Sequence, residues 1–240
     1  MIRAISLDLD DTLWPIAPII IEAERSLHGW LSARLPHVAS EWSIARMRAL
    51  RERVAVENPH LAHDYTEQRR LSLCALIGDH PEQQALVDGA FEIFFQARNQ
   101  VTLYADAHAA LQHLHARLPL ISLSNGNADL ERIGLAHLFH SRISARDIGA
   151  AKPEPRIFQA ACAALALPAA AIAHVGDDPD MDVMGAKNAG MFAVWLNREA
   201  REWPHVERPD LEIRDLGELC HWLDSYPGTI ERMPTCLHAP

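Results

Sequence analysis

The chain opens on a nearly unbroken apolar run, with Ile2, Ala4, Ile5, Leu7 and Leu9 among its first nine positions, the pattern of a short buried strand. Similar runs recur at 118–123, 172–175 and 192–196, with a weaker one at 142–145 and a possible edge strand at 211–213. Helical stretches fill the gaps at 107–117, 128–138, 155–165 and 181–189. This alternation predicts an α/β fold, a Rossmann-like doubly wound parallel sheet with helices on both faces.

The stretch 15–101 breaks the rhythm and reads as helical throughout. After Pro15 and Pro18, the residues Ile16, Ile19, Ile20, Ala23, Leu27, Trp30 and Leu31 repeat at helical spacing. Ser40 is placed to cap a second helix with Met47, Leu50 and Val54 on one face, stopped by Pro59. Asp64 followed by Glu67 resembles a capping box opening a third helix that ends at Gly78, and a fourth runs from Glu82 to Arg98. Four inserted helices would form a small bundle beside the sheet. The chain thus divides into a core from residues 1–14 and 102–225, a helical insert over 15–101, and a tail over 226–240 whose Pro, Gly and Thr suggest loose attachment.

A length of 240 residues accommodates a core domain carrying a smaller one. With 32 Asp and Glu against 22 Lys and Arg, the formal charge of −10 gives little electrostatic support to nucleic-acid binding or to a polybasic membrane contact. Cys74, Cys162, Cys220 and Cys236 form no Cys-x-x-Cys pair, so no thiol–metal or redox site is indicated and a reducing compartment fits. Neither a signal peptide nor a bilayer-spanning apolar segment is visible. A soluble, cytoplasmic protein is expected, as a monomer or homodimer.

Four polar segments each follow a predicted strand: Asp8-Leu9-Asp10-Asp11-Thr12, Ser124-Asn125-Gly126, Lys152 with Pro153-Glu154-Pro155, and Gly176-Asp177-Asp178-Pro179-Asp180-Met181-Asp182. In an open parallel sheet the carboxyl ends of the strands converge on one crevice. Because Asp8 and Asp10 alternate with Leu9, both carboxylates are expected to leave the strand tip on one side. Each segment alone has a plainer reading: a turn with a helix cap, a simple turn, or a solvated acidic loop. Asp11 is assigned to shaping the turn into the insert, Lys187 and Asn188 to the surface, and Trp30 and Trp42 to the bundle core. His60 and His63 read better as surface histidines than as a metal pair.

In order and spacing the four segments resemble the motifs of the haloacid-dehalogenase-like hydrolase superfamily, over a span from Asp8 to Asp182. The resemblance implies a HAD-like core whose helical insert is a mobile cap, similar to the four-helix-bundle cap of the subgroup containing β-phosphoglucomutase and phosphoglycolate phosphatase. It implies Asp8 as nucleophile and Asp10 as acid/base, protonating the leaving alcohol and then activating water. A carboxylate attacking a phosphate dianion needs added positive charge, and Mg²⁺ held by oxygen ligands suits that need. The family pattern assigns it Asp8, the backbone carbonyl of Asp10, and Asp177, with either Asp178 or Asp182 completing or orienting the shell. Lys152 supplies a second positive charge, and Ser124 with the Asn125 amide holds phosphate oxygens. Dehalogenase and phosphonatase relatives generally lack an Asp at the place of Asp10, so phosphoester chemistry is favoured.

Within the insert, His63-Asp64-Tyr65-Thr66-Glu67-Gln68-Arg69 is the most polar helix start. His63 and Arg69 are candidates to bind the leaving group, against the alternative that Asp64 merely caps the helix and Arg69 is solvated. Asp8 to Leu13, the His63 to Arg69 pattern, Ser124 to Ala128 and His174 to Asp178 look like the bacterial phosphatases that hydrolyse flavin mononucleotide, a group also linked to 5-amino-6-(5-phospho-D-ribitylamino)uracil. The expected partner is therefore a small-molecule phosphate ester. A phosphomutase, passing the phosphoryl group to a sugar hydroxyl, and a catalytically silent binding protein are the alternatives.

Overall fold

The computed structural model describes residues 1–225, so the tail anticipated over 226–240 lies outside the described residues. The apolar runs become one parallel sheet: β1 (Ala4–Leu7), β2 (Leu120–Ser124), β3 (Ser141–Ser144), β4 (Ile172–Gly176), β5 (Phe192–Leu196) and β6 (Leu211–Ile213), in the order β3-β2-β1-β4-β5-β6. β2 starts after Pro119, which has no N–H to give to the ladder but whose carbonyl accepts from the Ile5 amide at 3.1 Å.

The insert after β1 carries five α-helices rather than four: α1 (Ile16–Arg34), α2 (Pro36–Glu41), α3 (Ile44–Glu57), α4 (Tyr65–Ile77) and α5 (Gln83–Arg98). The extra helix arises because Pro36 sits at the N-terminus of α2, where its missing N–H costs nothing. Ser40 consequently lies inside α2, bonded to the His37 carbonyl, and the cap of α3 is Ser43, which accepts from the Arg46 amide. Asp64 caps α4 by accepting from the Glu67 amide at 2.9 Å. Its own amide goes to the Leu61 carbonyl, so the reciprocal half of a capping box is not required. Leu27, Leu31, Leu73, Leu76, Val87 and Phe94 form the bundle core, with Trp30 and Trp42 packed partly buried against it.

The helices of the sheet domain are α6 (Ala107–His115), α7 (Leu130–Ile133), α8 (Ala145–Ile148), α9 (Pro155–Leu165), α10 (Gly185–Asn188) and α11 (Leu216–Ser225). Two expected long helices are shortened. The 128–138 stretch yields only α7, stopped by Gly134 at φ 84°, and a 3₁₀ turn. The 181–189 stretch is a π-helical turn over Pro179–Met184 followed by α10. Alternate strand residues feed two cores: Ile5, Leu7, Val175 and Val194 pack with Leu111, Leu114 and Leu219, while Ala4, Ile172, Ala193 and Trp195 pack with Ile157, Phe158 and Leu165. Each such large side chain contributes about 1.5–3 kcal/mol on burial.

The chain moves from β1 to β2 and β3 on one side and returns to β4 on the other. The direction of travel therefore reverses at β1, and the crevice at that reversal, beyond the carboxyl ends of the strands, is where such sheets bind ligands.

Candidate functional site

The Asp8 amide donates to the Val175 carbonyl at 2.9 Å, which extends the β1–β4 ladder one residue and carries the Asp8 carboxylate to the crevice floor. There Lys152 Nζ lies 2.5 Å from Asp8 Oδ1 and 2.6 Å from Asp182 Oδ1, with all three side chains buried. Lys152 comes from the segment before α9. It is held there by the Asn125 side-chain amide, which accepts from the Lys152 amide at 2.7 Å and donates to its carbonyl at 3.0 Å. The Asn125 side chain is thereby committed to placing Lys152.

Asp182 also accepts from His174 Nε2 at 3.1 Å, and its Oδ2 accepts from the Asp178 amide at 3.1 Å. A carboxylate can only accept, so His174 donates through Nε2 and receives the Ser6 hydroxyl at Nδ1, 3.0 Å away. A side chain at Gly176 would fall onto the Asp182 carboxyl group, which is why the strand ends on glycine. Asp178 turns away: its Oδ1 accepts from the amides of Asp180 and Met181, both at 2.8 Å, and so caps the π-helical turn. One carboxylate oxygen each from Asp8, Asp177 and Asp182 lie within 4.8 Å of one another. Of the two residues left open to complete the shell, the cluster includes Asp182 and not Asp178.

Burial raises the Asp8 carboxyl well above its usual range, against the pull of Lys152. Burial would raise Asp182 too, but Lys152 and His174 outweigh it and hold that group well below. Lys152 stays charged because the two carboxylates overcome its desolvation. Burial lowers His174 despite Asp182, leaving it neutral. Asp177 is pushed up to about 7, by burial first and then by Asp182 and Asp11. Three carboxylates around one ammonium leave negative charge uncancelled, and an all-oxygen donor set of this kind fits a hard divalent cation.

Asp10 has a different set of partners. The turn after Asp8 is tightened by Asp11, which adopts φ 59° and accepts from the Ile16 amide at 2.9 Å, the shaping role expected of it. Asp10 then pairs with Trp14, whose indole N–H donates to Oδ1 at 2.8 Å. Arg98, the last residue of α5, donates through Nη2 to Oδ1 at 2.9 Å and to Oδ2 at 2.6 Å. Ser124 Oγ accepts from the Gly126 amide at 3.0 Å. A Cβ on Gly126 would stand 2.5 Å from Asp10 Oδ2, 3.2 Å from Arg98 Nη2 and 3.3 Å from Ser124 Oγ. Only glycine lets the loop after β2 approach this closely.

The helix start at 63–69 does meet the core, through other residues than the two candidates. Thr66 Oγ1 accepts from Asn127 Nδ2 at 3.2 Å and Asp64 pairs with Arg146 at 3.2 Å. A cavity of about 400 Å³ lies at this junction, lined by Thr66, Phe95, Ser124, Asn127, Arg142 and Arg146 among others. His63 sits half-buried in the turn before α4. Arg69 is not solvated: it is buried in the bundle with its guanidinium 3.5 Å from the centre of the Phe94 ring. Burial, with the neighbouring Arg51, lowers it to about 9.

Three residues of the site escaped the sequence reading. Arg98 ends a helix, where a basic residue is favoured by the dipole in any case, so nothing local marks it. Trp14 looks like core. His174 did leave a signal, since it is the one strongly polar side chain in the run 172–175.

The haloacid dehalogenase-like hydrolase family model matches residues 2–190. The chain is 31% identical over 226 residues to the 5-amino-6-(5-phospho-D-ribitylamino)uracil phosphatase YigB of Escherichia coli (strain K12), covering 91% of this chain and 94% of that protein. It is 32% identical over 234 residues to a glyceraldehyde 3-phosphate phosphatase of Methanopyrus kandleri, covering 91% and 96%. Among solved structures, the 2-haloacid dehalogenase from Pseudomonas syringae pv. Tomato DC3000 superposes with a TM-score of 0.88 at 36% identity, covering 93% of this chain and 99% of that one. With the family model covering most of its length and its strand-end carboxylates gathered around Lys152, the chain belongs to the haloacid dehalogenase-like hydrolases.

Proposed function

We propose that this protein is a Mg²⁺-dependent phosphatase that hydrolyses a small-molecule phosphate monoester through a phosphoryl group carried on Asp8. The observation that carries the reading is the division of labour between the carboxylates. Asp8 shares a buried ammonium with Asp182, while Asp10 is held apart by Trp14 and Arg98 beside Ser124. Asp8 is thus presented for attack and Asp10 for proton transfer.

In the first step an Asp8 oxygen attacks phosphorus, the bond to the leaving oxygen breaks, and the Asp10 carboxyl gives that oxygen its proton. In the second, the Asp10 carboxylate takes a proton from water, which attacks phosphorus and restores Asp8. Lys152 counters the charge gathering on the transferring group, and Asp182 with the Asn125 clamp fixes where that ammonium stands. Ser124 and the backbone at Asn125 hold phosphate oxygens. Mg²⁺, when bound, supplies further charge neutralisation at the phosphate. Asp8 and Asp177 would hold it through their side chains, with the Asp10 backbone carbonyl. Asp182 spends its oxygens on Lys152, His174 and the Asp178 amide, so it orients rather than ligates. The five helices of the insert act as the cap, with His63 and Arg69 as its candidates for binding the leaving group. The E. coli relative makes a ribitylaminouracil phosphate of the flavin pathway the first substrate to try.

The superposition on a dehalogenase favours a second reading, in which Asp8 displaces halide from a 2-haloacid. One panel separates them: phosphate release from flavin, sugar, nucleotide, serine and glycolate phosphates, and halide release from 2-chloropropionate, with Asp8→Asn as blank. Phosphate release that needs Mg²⁺ is expected. Halide release without phosphate release would overturn the phosphatase reading, and isomerised sugar phosphate without net phosphate would turn it towards a mutase.

A further inference from the structure

We infer that Arg98 is a positioning residue for proton delivery: from the last turn of the insert it fixes the Asp10 carboxylate in the orientation that serves the leaving oxygen. The inference rests on the acid/base role proposed for Asp10 and extends it to a residue outside the strand-end motifs.

The guanidinium is 1% exposed and bridges the two Asp10 oxygens with a single nitrogen, Nη2, at 2.9 and 2.6 Å. Trp14 Nε1 adds a second donor to Oδ1 at 2.8 Å. With Oδ1 held by two donors and Oδ2 by one, the carboxylate cannot rotate freely about its bond, and Oδ2, the less occupied oxygen, lies beside Ser124 and Gly126, where a Cβ on Gly126 would stand 2.5 Å from it. Arg98 is itself fixed from the core side, since Nε donates to Asn127 Oδ1 at 3.0 Å and Asn127 in turn donates to Thr66 of α4. Next to it, Asn99 Oδ1 accepts from the Asp129 amide at 2.8 Å. The end of α5 is thereby pinned to the loop that follows β2.

Nη1 of Arg98 has no hydrogen-bond partner, while Nη2 bridges both Asp10 oxygens, so the end of the guanidinium serves the Asp10 carboxylate and nothing else among the described residues. A general acid works only within hydrogen-bond reach of the atom it protonates. An aspartate on a turn after a strand otherwise has several staggered rotamers to choose from. Selecting one of them is what the Arg98 and Trp14 contacts accomplish.

The test uses kcat/KM, which reports events up to phosphoryl transfer onto Asp8, across esters whose leaving alcohols run from p-nitrophenol to an alkanol. p-Nitrophenolate leaves without needing a proton, whereas an alkoxide does not. Arg98→Gln is expected to lower kcat/KM for the alkyl ester about 100-fold, the scale of a misplaced catalytic group, and to change p-nitrophenyl phosphate far less. Arg98→Lys keeps the charge without the planar fork and should fall between. In an Asp10→Asn background Arg98→Gln should add little, because the two residues act as one unit. Trp14→Phe should show the same selectivity on a smaller scale, and with Arg98→Lys it carries the test if Arg98→Gln does not fold. Equal losses on the two esters, or a full further loss in the Asp10→Asn background, would overturn the role of Arg98 while leaving the phosphatase reading intact. If Asp10→Asn itself spares the alkyl ester, the acid assignment falls and Arg98's role with it.

Discussion

Charge is buried in two regions of this molecule, differently balanced. At the strand ends, Asp8, Asp177 and Asp182 cluster, and one Lys152 ammonium bonds Asp8 and Asp182. In the insert, the buried Glu24 is gripped by Arg48 and lies 3.7 Å from Arg51, while buried Arg69, repelled by Arg51, rests on the Phe94 ring. The core sets three carboxylates against one ammonium, whereas the insert sets the part-exposed Arg48 and Arg51 against Glu24, which also draws on Arg69. Buried charge left uncancelled is costly, so the oxygen donors of the core suit a divalent cation, while the insert balances its charges among its own side chains. The difference teaches where added positive charge matters most.

The largest effect should come from depriving the core of its cation. Chelation with EDTA is expected to take phosphate release to background and added Mg²⁺ to restore it, followed by a phosphate assay; EDTA-resistant turnover would remove the metal from the account. The same imbalance has a pH signature. Asp177 stands near 7 when folded against an ordinary 3.8, so between those values the folded, metal-free protein holds a proton that the unfolded chain does not. Its contribution to stability is therefore lost as pH rises through that window. Magnesium competes with that proton. Calorimetric Mg²⁺ affinity should accordingly strengthen as pH rises through about 7, and affinity flat across that range would contradict the assignment.

Next in size is Asp182→Asn. It removes the charge of one of the two carboxylates on a buried ammonium and turns Oδ2, the acceptor for the Asp178 amide, into a donor. A destabilisation of about 3 kcal/mol is expected by denaturant titration, with kcat falling more than KM rises because Lys152 loses its anchor. A change within about 0.5 kcal/mol, the range of an ordinary surface substitution, would mean Asp182 carries no structural charge.

The strand-end cluster was far more legible than the machinery around it. Asp8, Lys152 and Asp177 announce themselves because strand ends and carboxylate spacing are local patterns, and a parallel sheet then has only one place to bring them together; between Asp178 and Asp182 the sequence left the choice open. Asp178 and Asn125 show the limit. Their residue types suit metal and phosphate, yet their side chains are spent on a turn cap and on the Lys152 backbone, competition that only the folded chain reveals. Arg98 is 88 residues from the Asp10 it grips, and no periodicity relates the two. The helix count failed where Pro36 allowed an additional start.

The smallest and most selective effect is expected from the insert. Arg69→Ala should lower kcat/KM for the physiological ester more than for p-nitrophenyl phosphate, whose nitrophenyl group is small and offers the insert few polar contacts. Equal effects on both would mean that Arg69 serves only the packing against Phe94.

The central claim is that Asp8 carries the phosphoryl group. The direct measurement is rapid acid quench of Asp10→Asn enzyme during turnover of p-nitrophenyl phosphate, whose leaving group needs no proton from Asp10, followed by peptide mass mapping. Without its base the second step is slowed, so the peptide containing Asp8 should gain the mass of one phosphoryl group and lose it in Asp8→Asn. A phosphoryl group on another residue, or phosphate release from Asp8→Asn at the wild-type rate, would contradict the account.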